Sequence, residues 1–178
     1  SVAANAEDLA SISIAILDSC FDTEPHFSLG EPNRSFHGKK VLKTVQQFAP
    51  GCNALGFEYG GETNYPAAVV VALVAAVKQE CLIICVALNL SGNTSTAYAR
   101  AAKFAIDSGV LVVAGISNHG DHASPMALAP DVIAIHQKGK LLNPAATRVD
   151  CWIDVPDISI DVNGNFVNFG GDSAATAI

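Results

Sequence analysis

The chain has 178 residues, of which 50% are hydrophobic and 15% are charged, a composition typical of a packed globule and not of a disordered protein. The net charge of −7, with ten lysines and arginines scattered along the chain, argues against nucleic acid as a partner. The longest apolar stretch, 66–77, is shorter than the roughly 20 residues that cross a bilayer, so no membrane partner is expected.

The number and spacing of the cysteines indicate whether the chain belongs to a reducing or an oxidising compartment. Five cysteines are present, an odd number, and their spacing suits no zinc site. Cys81 and Cys85 flank an apolar run, where thiols usually act as small buried hydrophobic groups. The N-terminus shows no basic and apolar cleavable signal. These features favour a reducing compartment such as the cytoplasm.

Strand-like and helix-like segments alternate in the first part of the chain. Residues 11–17 are rich in β-branched side chains and predict a strand that ends in polar residues. Residues 38–48 carry apolar side chains at helical spacing, and residues 53–59 predict a second strand after the turn signal at 49–51. The run 67–78 is rich in Ala and Val and too long for a strand, so it predicts a buried helix.

Three further apolar strands are predicted at 81–90, 110–115 and 131–136. Between the first two lies a predicted helix, 95–107, with Ser and Thr at its start and Gly109 after its end. Apolar strands separated by helices imply an α/β fold of three layers, a mostly parallel sheet with helices on both faces. In such sheets the working residues lie in loops beyond the carboxyl ends of the strands.

Shorter strand-like segments follow from about residue 138, at 149–155, 158–161 and 166–169. The turn signal Asn163-Gly164-Asn165 predicts a β-hairpin that leads to Ser173. Neither a repeat nor a domain boundary is visible, so we expect residues 1–178 to belong to a single domain.

Three segments place a reactive polar residue at the end of an apolar run, in the order Asp18, His37, Ser173. An acid, an imidazole and a hydroxyl are the parts that turn a serine into a nucleophile. The imidazole takes the hydroxyl proton, and the carboxylate orients the imidazole and stabilises the imidazolium that forms.

Several segments in the correct order resemble motifs of the subtilisin-like serine proteases, the subtilase family. Residues 15–19 resemble its aspartate motif, 37–38 its histidine motif and 171–175 its nucleophile motif. The other matching segments are 48–54 (the turn after the histidine helix), 89–92 (the strand beside the bound peptide), 110–118 (the strand before the oxyanion asparagine) and 129–135 (the strand after it). The resemblance runs from about Ser11 to the last residue.

This resemblance implies a subtilisin-like fold and a serine endopeptidase. Ser173 would attack the scissile carbonyl, His37 would act as base and then as acid, and Asp18 would orient His37. Asn118 would donate from its side-chain amide to the tetrahedral oxyanion, together with the backbone N–H of Ser173.

The resemblance also implies how a substrate binds. The backbone of Ser91 and Gly92 would pair with an extended peptide or protein substrate by β-augmentation. No cofactor is expected. His119, Asp121 and His122 are interpreted as a solvated turn, because their spacing fits no ligand pattern, so no metal site is predicted.

The sequence also departs from the family pattern. Asp172 stands where Thr usually precedes the nucleophile, and its charge would raise the pKa of the nearby imidazole. Ser117 stands where Gly usually precedes the asparagine. The other departures are Cys20 for Gly, Lys39 and Lys43 for small residues, and Ala177 for Pro.

These departures leave a second function open, a catalytically impaired pseudoprotease that acts as a peptide-binding or scaffolding module. A third interpretation, a doubly wound small-ligand domain of the flavodoxin type, requires a Gly-rich phosphate loop after the first strand. Residues 18–21 contain no glycine, which argues against it.

Two expectations concern the remaining residues. His26, His119, His122 and His136 are predicted to be ordinary surface or rim residues. Ser173 also fits a helix N-cap, because Gly-Asp-Ser before Ala-Ala-Thr is a good helix start. The chain ends at Ile178, within the first turns of that helix, so we expect the domain to be incomplete there and a further chain segment to complete the helix.

Overall fold

The computed structural model describes residues 10–18, 21, 27–29, 36–59, 65–87, 95–117, 123–162 and 164–178. Its helices are α1 (His37–Phe48), α2 (Tyr65–Lys78), α3 (Ser95–Asp107) and α4 (Gly171–Ala177). Its strands are β1 (Ser13–Asp18), β2 (Phe27–Leu29), β3 (Asn53–Tyr59), β4 (Ile83–Val86), β5 (Leu111–Gly115), β6 (Ile133–Gln137), β7 (Cys151–Ile153), β8 (Ile158–Val162) and β9 (Asn165–Phe169).

The bounds of most elements follow the sequence patterns. Strand β3 and helix α3 have the predicted bounds, and α1 begins one residue before its predicted start. Strand β4 is shorter than the apolar run 81–90 that predicted it, and residues 88–90 lie outside the described part of the chain. An apolar run therefore marks a buried strand here but not its ends.

Seven strands form one sheet in the order β2-β3-β1-β4-β5-β6-β7. Every neighbouring pair is parallel, and in the pair of β1 and β3 the register matches Ser13 with Asn53 and Asp18 with Glu58. The parallel sheet that the alternating pattern predicts is confirmed. Because all strands run the same way, their carboxyl ends meet at one edge of the sheet.

Helices cover both faces of this sheet, which confirms the three-layer α/β prediction. Helices α2 and α3 pack on one face through small and aliphatic side chains, including Leu73 and Ala102. Helix α1 packs on the other face through Val41 and Val45, together with Ala174 of α4. The small residues of α2 and α3 let these helices lie close to the sheet.

The predicted hairpin is confirmed in β8 and β9, which pair antiparallel with Val162 opposite Asn165. Gly164 in the turn has φ +81°, a conformation that favours glycine, and its N–H donates to Asp161 Oδ1 over 2.8 Å. Ile158, Ile160 and Phe169 of the hairpin pack on the face that holds α1. The hairpin thus delivers the chain to α4 beside α1.

A helix that crosses a bilayer needs about 20 mostly apolar residues. Among the helices in the described residues, none combines enough length with enough apolar character to cross a membrane.

Candidate active site

Asp18, His37 and Ser173 come together at the carboxyl edge of the sheet. Asp18 is the last residue of β1, His37 is the first residue of α1, and Ser173 lies in the first turn of α4. Phe36, just before His37, has φ 50° in the left-handed region, so the chain turns sharply before α1 begins. That turn directs the His37 side chain back toward the end of β1.

The three side chains form a continuous path of contacts. His37 Nδ1 lies 2.7 Å from Asp18 Oδ2, and His37 Nε2 lies 3.1 Å from Ser173 Oγ. Both distances are those of hydrogen bonds between side chains, although the residues are 19 and 136 positions apart in the chain. Ser173 Oγ also lies 2.8 Å from the backbone oxygen of Ala87, which follows β4 directly.

The single hydroxyl proton of Ser173 cannot serve both acceptors at once. When His37 is neutral and donates from Nδ1 to Asp18, its Nε2 competes with Ala87 O for that proton. When His37 is protonated on both nitrogens, Nε2–H donates to Oγ while Oγ–H donates to Ala87 O. The resting contacts therefore suit the imidazolium, and the neutral ring requires the hydroxyl to rotate toward Nε2.

Burial and charge act on the pKa of His37 in opposite directions. Burial alone would lower the pKa from its ordinary value of 6.5, but the hydrogen bond to Asp18 and the negative charge of Asp18 raise it further, and the net shift is upward. The positive charge of Lys40 opposes this rise. Protonation of His37 therefore stabilises the fold, a contribution that is complete below pH 6.5 and is lost as pH rises through the folded-state pKa.

We expect the Lys40→Gln variant to raise the pKa of His37, because it removes a nearby positive charge that lowers it. An NMR titration of the His37 ring measures the change directly. Lys43→Gln, which removes an exposed charge from the same helix, is the matched control and leaves the titration unchanged. An unchanged or lower pKa in Lys40→Gln contradicts this electrostatic account.

Two sequence expectations about α4 are wrong. The helix begins at Gly171, with Gly170 as its N-cap, so Ser173 is not the N-cap residue. Gly171 has φ +79°, and this conformation lets the chain enter the helix three residues earlier than a cap at Ser173 would. Asp172 does not face His37, because its carboxylate contacts His136 instead, with Oδ1 2.8 Å from Nδ1.

The prediction that His136 is a surface or rim residue is also wrong. His136 is 0% exposed in β6, and its ring meets that of Trp152 edge-on with centroids 5.0 Å apart. The paired carboxylate of Asp172 makes this burial possible, since a buried polar ring requires a hydrogen-bond partner. Asp172 and His136 therefore form a second acid–imidazole pair, and its acid directly precedes Ser173 in the chain.

Sequence reasoning also missed Phe169, the last residue of β9. Its ring packs edge-on against the His37 ring, with centroids 5.8 Å apart and an interplanar angle of 77°. The hairpin that leads to Ser173 was the signal that could have identified it, because β9 must pass close to the site. Phe169 covers part of His37, whose side chain is 29% exposed, while Asp18 is 0% exposed.

Cys81 and Cys85 are buried thiols, as their apolar flanks predicted. Cys85 in β4 donates weakly to Thr176 O over 3.5 Å, and Cys81 is fully enclosed. Burial raises the pKa of Cys85 to about 12, and the charge of Asp18 adds to the rise. A thiol with this pKa is not a nucleophile near neutral pH.

Three predicted site residues, Ser91, Gly92 and Asn118, lie outside the described part of the chain. So do Cys20, His26, His119, Asp121, His122 and Asn163. The described neighbour of Asn118 is Ser117, which has φ 150°, a backbone conformation that favours glycine. This agrees with the Gly that the subtilase pattern has at the same position.

Comparison with known proteins identifies the fold. No protein-family model and no curated protein sequence matches the chain. Solved structures do match, and they show that the chain has the fold of the subtilisin-like serine proteases, the subtilase family.

Three of these structures give the extent of the likeness. The prenylagaramide maturation protease PagA is 22% identical with a TM-score of 0.75, over 96% of this chain and 72% of that one. A cold-adapted subtilisin-like serine proteinase is 19% identical with a TM-score of 0.70, over 94% and 71% of the two chains. The PatG macrocyclase in complex with a peptide is 15% identical with a TM-score of 0.65, over 93% and 72%.

Proposed function

We propose that this protein is a subtilisin-like serine endopeptidase. The observation that carries the proposal is the contact path from Asp18 through His37 to Ser173 at the carboxyl edge of a parallel sheet. Each of the three groups suits one role in acyl transfer. Asp18 is a buried acid, His37 is an imidazole open to solvent on one side, and Ser173 lies within hydrogen-bond reach of that imidazole. Likeness of fold to known proteases supports the same conclusion.

In the proposed reaction, the Ser173 hydroxyl rotates from Ala87 O to His37 Nε2 and attacks the scissile carbonyl carbon. His37 takes the hydroxyl proton, and Asp18 stabilises the imidazolium through Nδ1–H. His37 then gives this proton to the leaving amine as the acyl-enzyme forms. A water molecule then gives a proton to His37 and attacks the acyl carbon. The bond to Ser173 Oγ breaks, His37 returns the proton to Oγ, and the carboxylic acid leaves.

The proposed oxyanion donors are the side-chain amide of Asn118 and the backbone N–H of Ser173. Ser117 supports this assignment, because it follows β5 at the same sheet edge and its N–H donates to Asp172, the neighbour of Ser173, over 3.0 Å. Ser117, the residue before the proposed donor, is therefore held against the residue that precedes the nucleophile. A single donor of this kind contributes about 10²–10³ in rate.

The proposed substrate is an extended peptide or protein segment. The backbone of Ser91 and Gly92 would hold it by strand pairing, which gives affinity without strong dependence on side chains. In support, the chain resembles the PatG macrocyclase, which was solved in complex with a peptide.

A second candidate function is a pseudoprotease that binds peptides without cleaving them. The observation that favours it is the geometry of the Ser173 hydroxyl, whose oxygen lies closer to Ala87 O at 2.8 Å than to His37 Nε2 at 3.1 Å. A hydroxyl held permanently by the backbone oxygen would not be activated by the imidazole.

A fluorophosphonate probe separates the two functions. In an active site Ser173 Oγ attacks phosphorus, fluoride leaves and the hydroxyl proton passes to His37, so the wild-type protein gains a stable label that mass spectrometry locates on Ser173. We expect Ser173→Ala to remain unlabelled. Ser124→Ala, which removes another buried serine hydroxyl, should label like the wild type.

The outcomes of this experiment are distinct. Labelling at Ser173 supports the protease. An unlabelled wild type that still binds an extended peptide, with the same affinity in Ser173→Ala, supports the pseudoprotease and contradicts the proposed activity.

A further inference from the structure

Beyond the triad, we propose that Asp172 and His136 form a positioning pair that fixes the nucleophile against the ends of β5 and β6. This inference rests on the proposed protease function for its effect on turnover. Its structural part stands on contacts that do not involve Asp18 or His37. The pair acts on the reaction only through the backbone of Ser173, which follows Asp172 directly.

The carboxylate of Asp172 is the centre of the pair. Its Oδ2 accepts from the backbone N–H of Ser117 over 3.0 Å, and its Oδ1 accepts from the backbone N–H of Gln137 over 2.8 Å. His136 Nδ1 lies between the two oxygens, 2.8 Å from Oδ1 and 2.9 Å from Oδ2. One side chain of α4 thus binds the carboxyl ends of two adjacent strands.

The ring of His136 is held from both nitrogens. Its Nδ1 faces the carboxylate of Asp172, and its Nε2 lies 3.3 Å from the backbone oxygen of Lys140. Both partners are acceptors, so both contacts are hydrogen bonds only when each ring nitrogen carries a proton. The pair is then an imidazolium beside a carboxylate, and their charges cancel inside the protein.

Further contacts tie the same turn of α4 to the sheet. The N–H of Gly171 donates to Gln137 Oε1 over 2.8 Å, and Thr176 Oγ1 donates to Asp172 O over 2.6 Å. Gly115 at the end of β5 leaves no spare room, because a Cβ there would lie 2.9 Å from Thr176 Oγ1 and 3.3 Å from Asp172 O. The first turn of α4 is therefore seated closely on β5 and β6.

This arrangement accounts for Ser117. A serine at φ 150° persists only when its surroundings hold it, and the bond from its N–H to Asp172 is such a contact. Where the subtilase pattern has Gly and Thr, this chain has Ser117 and Asp172, and the two residues are bonded to each other. Asp172 thus holds Ser117 at the end of β5 and the nucleophile at a fixed separation.

The first test is steady-state kinetics of Asp172→Asn. The carboxylate of Asp172 accepts hydrogen bonds from the backbone N–H groups of Ser117 and Gln137. The asparagine side chain has nearly the same size, but its NH₂ group cannot accept, so at least one of these bonds is lost. A shift of about 1 Å at reacting groups costs up to about 10² in rate. We expect kcat to fall by about 10- to 100-fold with KM within about twofold of the wild-type value.

His136 is tested with two variants of different hydrogen-bonding capacity. His136→Phe keeps a ring without donors and should lower kcat as Asp172→Asn does, whereas His136→Gln keeps one N–H donor and should restore part of the loss. The double variant His136→Phe with Asp172→Asn should lose no more than the larger single loss, because the two residues act as one unit. Asp154→Asn, an exposed acid paired with Lys138, is the control with unchanged kcat.

Two readouts remain valid if the protein has no protease activity. In the wild type, the ¹⁵N shifts of His136 should show protons on both ring nitrogens, and the amides of Ser117 and Gln137 should exchange slowly. In Asp172→Asn both amides should exchange at least tenfold faster, with other sheet amides unchanged. A wild type without labelling or turnover overturns the proposed function only. Unchanged amide exchange and an unprotonated ring nitrogen overturn the positioning pair, as does an unchanged kcat in an active protein.

Discussion

Replacement of His37 by alanine is expected to lower kcat by about 10⁶-fold, the loss that follows when the base of a serine triad is removed. Without the imidazole, the hydroxyl of Ser173 keeps Ala87 O as an acceptor at 2.8 Å, and a backbone oxygen cannot take its proton. The measurement is peptide hydrolysis under single-turnover conditions, with the fluorophosphonate label as a second assay of the same nucleophile.

Two controls accompany this variant, and the first tests whether the losses in kcat of two single variants add. The double variant His37→Ala with Ser173→Ala should be no slower than either single variant, because each removes a part without which the other has no function. Lys43→Ala, at an exposed position of the same helix, should retain full activity. If His37→Ala loses less than tenfold, the proton of Ser173 goes elsewhere and the assigned base is wrong.

The two acid–imidazole pairs of this chain suit different tasks because they differ in exposure and in partners. His37 has one side open, so a substrate can approach it, and its second nitrogen faces a hydroxyl that can give up a proton. His136 is 0% exposed, and its second nitrogen faces a backbone oxygen that can only accept. The outer pair, Asp18 with His37, can move a proton to and from a reactant. The inner pair, Asp172 with His136, can only hold groups in place.

Much of the fold and of the outer pair could be predicted from the sequence. Helix α3 and strand β3 have clear periodicities, and the apolar runs of β1, β4 and β5 identify a parallel sheet buried on both faces. Since the carboxyl ends of parallel strands meet at one edge, the position of Asp18 at the end of a strand-like run already placed it at that edge. Ser173 follows the antiparallel strand β9, so its approach to Asp18 was implied by the resemblance to the subtilase motifs and not by this rule. In the structure, His37 Nδ1 lies 2.7 Å from Asp18 Oδ2, and His37 Nε2 lies 3.1 Å from Ser173 Oγ. That these three residues form a catalytic triad stays a prediction.

The inner pair could not be predicted in the same way. His136 and Asp172 are 36 positions apart, and no periodicity distinguishes a histidine that faces an acid inside the protein from one that faces water. Their contact depends on the placement of α4 over the ends of β5 and β6, which only the tertiary structure gives. The sequence showed that Asp172 is charged, but it did not show which way the side chain points. That orientation decides that the carboxylate contacts His136 and not His37.

The start of α4 shows a further limit of local reasoning. The sequence around Ser173 is a good N-cap signal, yet the helix begins earlier because Gly171 adopts φ +79°. With the helix starting at Gly171, Asp172 points toward β6 while Ser173 points toward His37. A cap at Ser173 would place Asp172 outside the helix and remove the geometry that separates the two pairs.

Replacement of Asp18 by asparagine is expected to lower kcat by about 10⁴-fold while the fold is retained. An amide can donate to Nδ1 instead of accepting from it, which favours the tautomer whose Nε2 carries the proton. That nitrogen then cannot take the proton of Ser173. The measurement is kcat/KM and kcat across a pH series, compared with the wild-type protein.

The pH series separates this loss from simple unfolding. The hydrogen bond and the charge of Asp18 are the two causes that raise the pKa of His37, while burial and Lys40 lower it. Removing the charge therefore lowers the pKa of His37, and the acid limb of the residual activity should move to lower pH. If the variant loses activity and its acid limb stays at the wild-type pH, Asp18 does not determine the pKa of His37. An acid limb displaced to higher pH would contradict the assignment of the Asp18 carboxylate as the group that raises the pKa of His37.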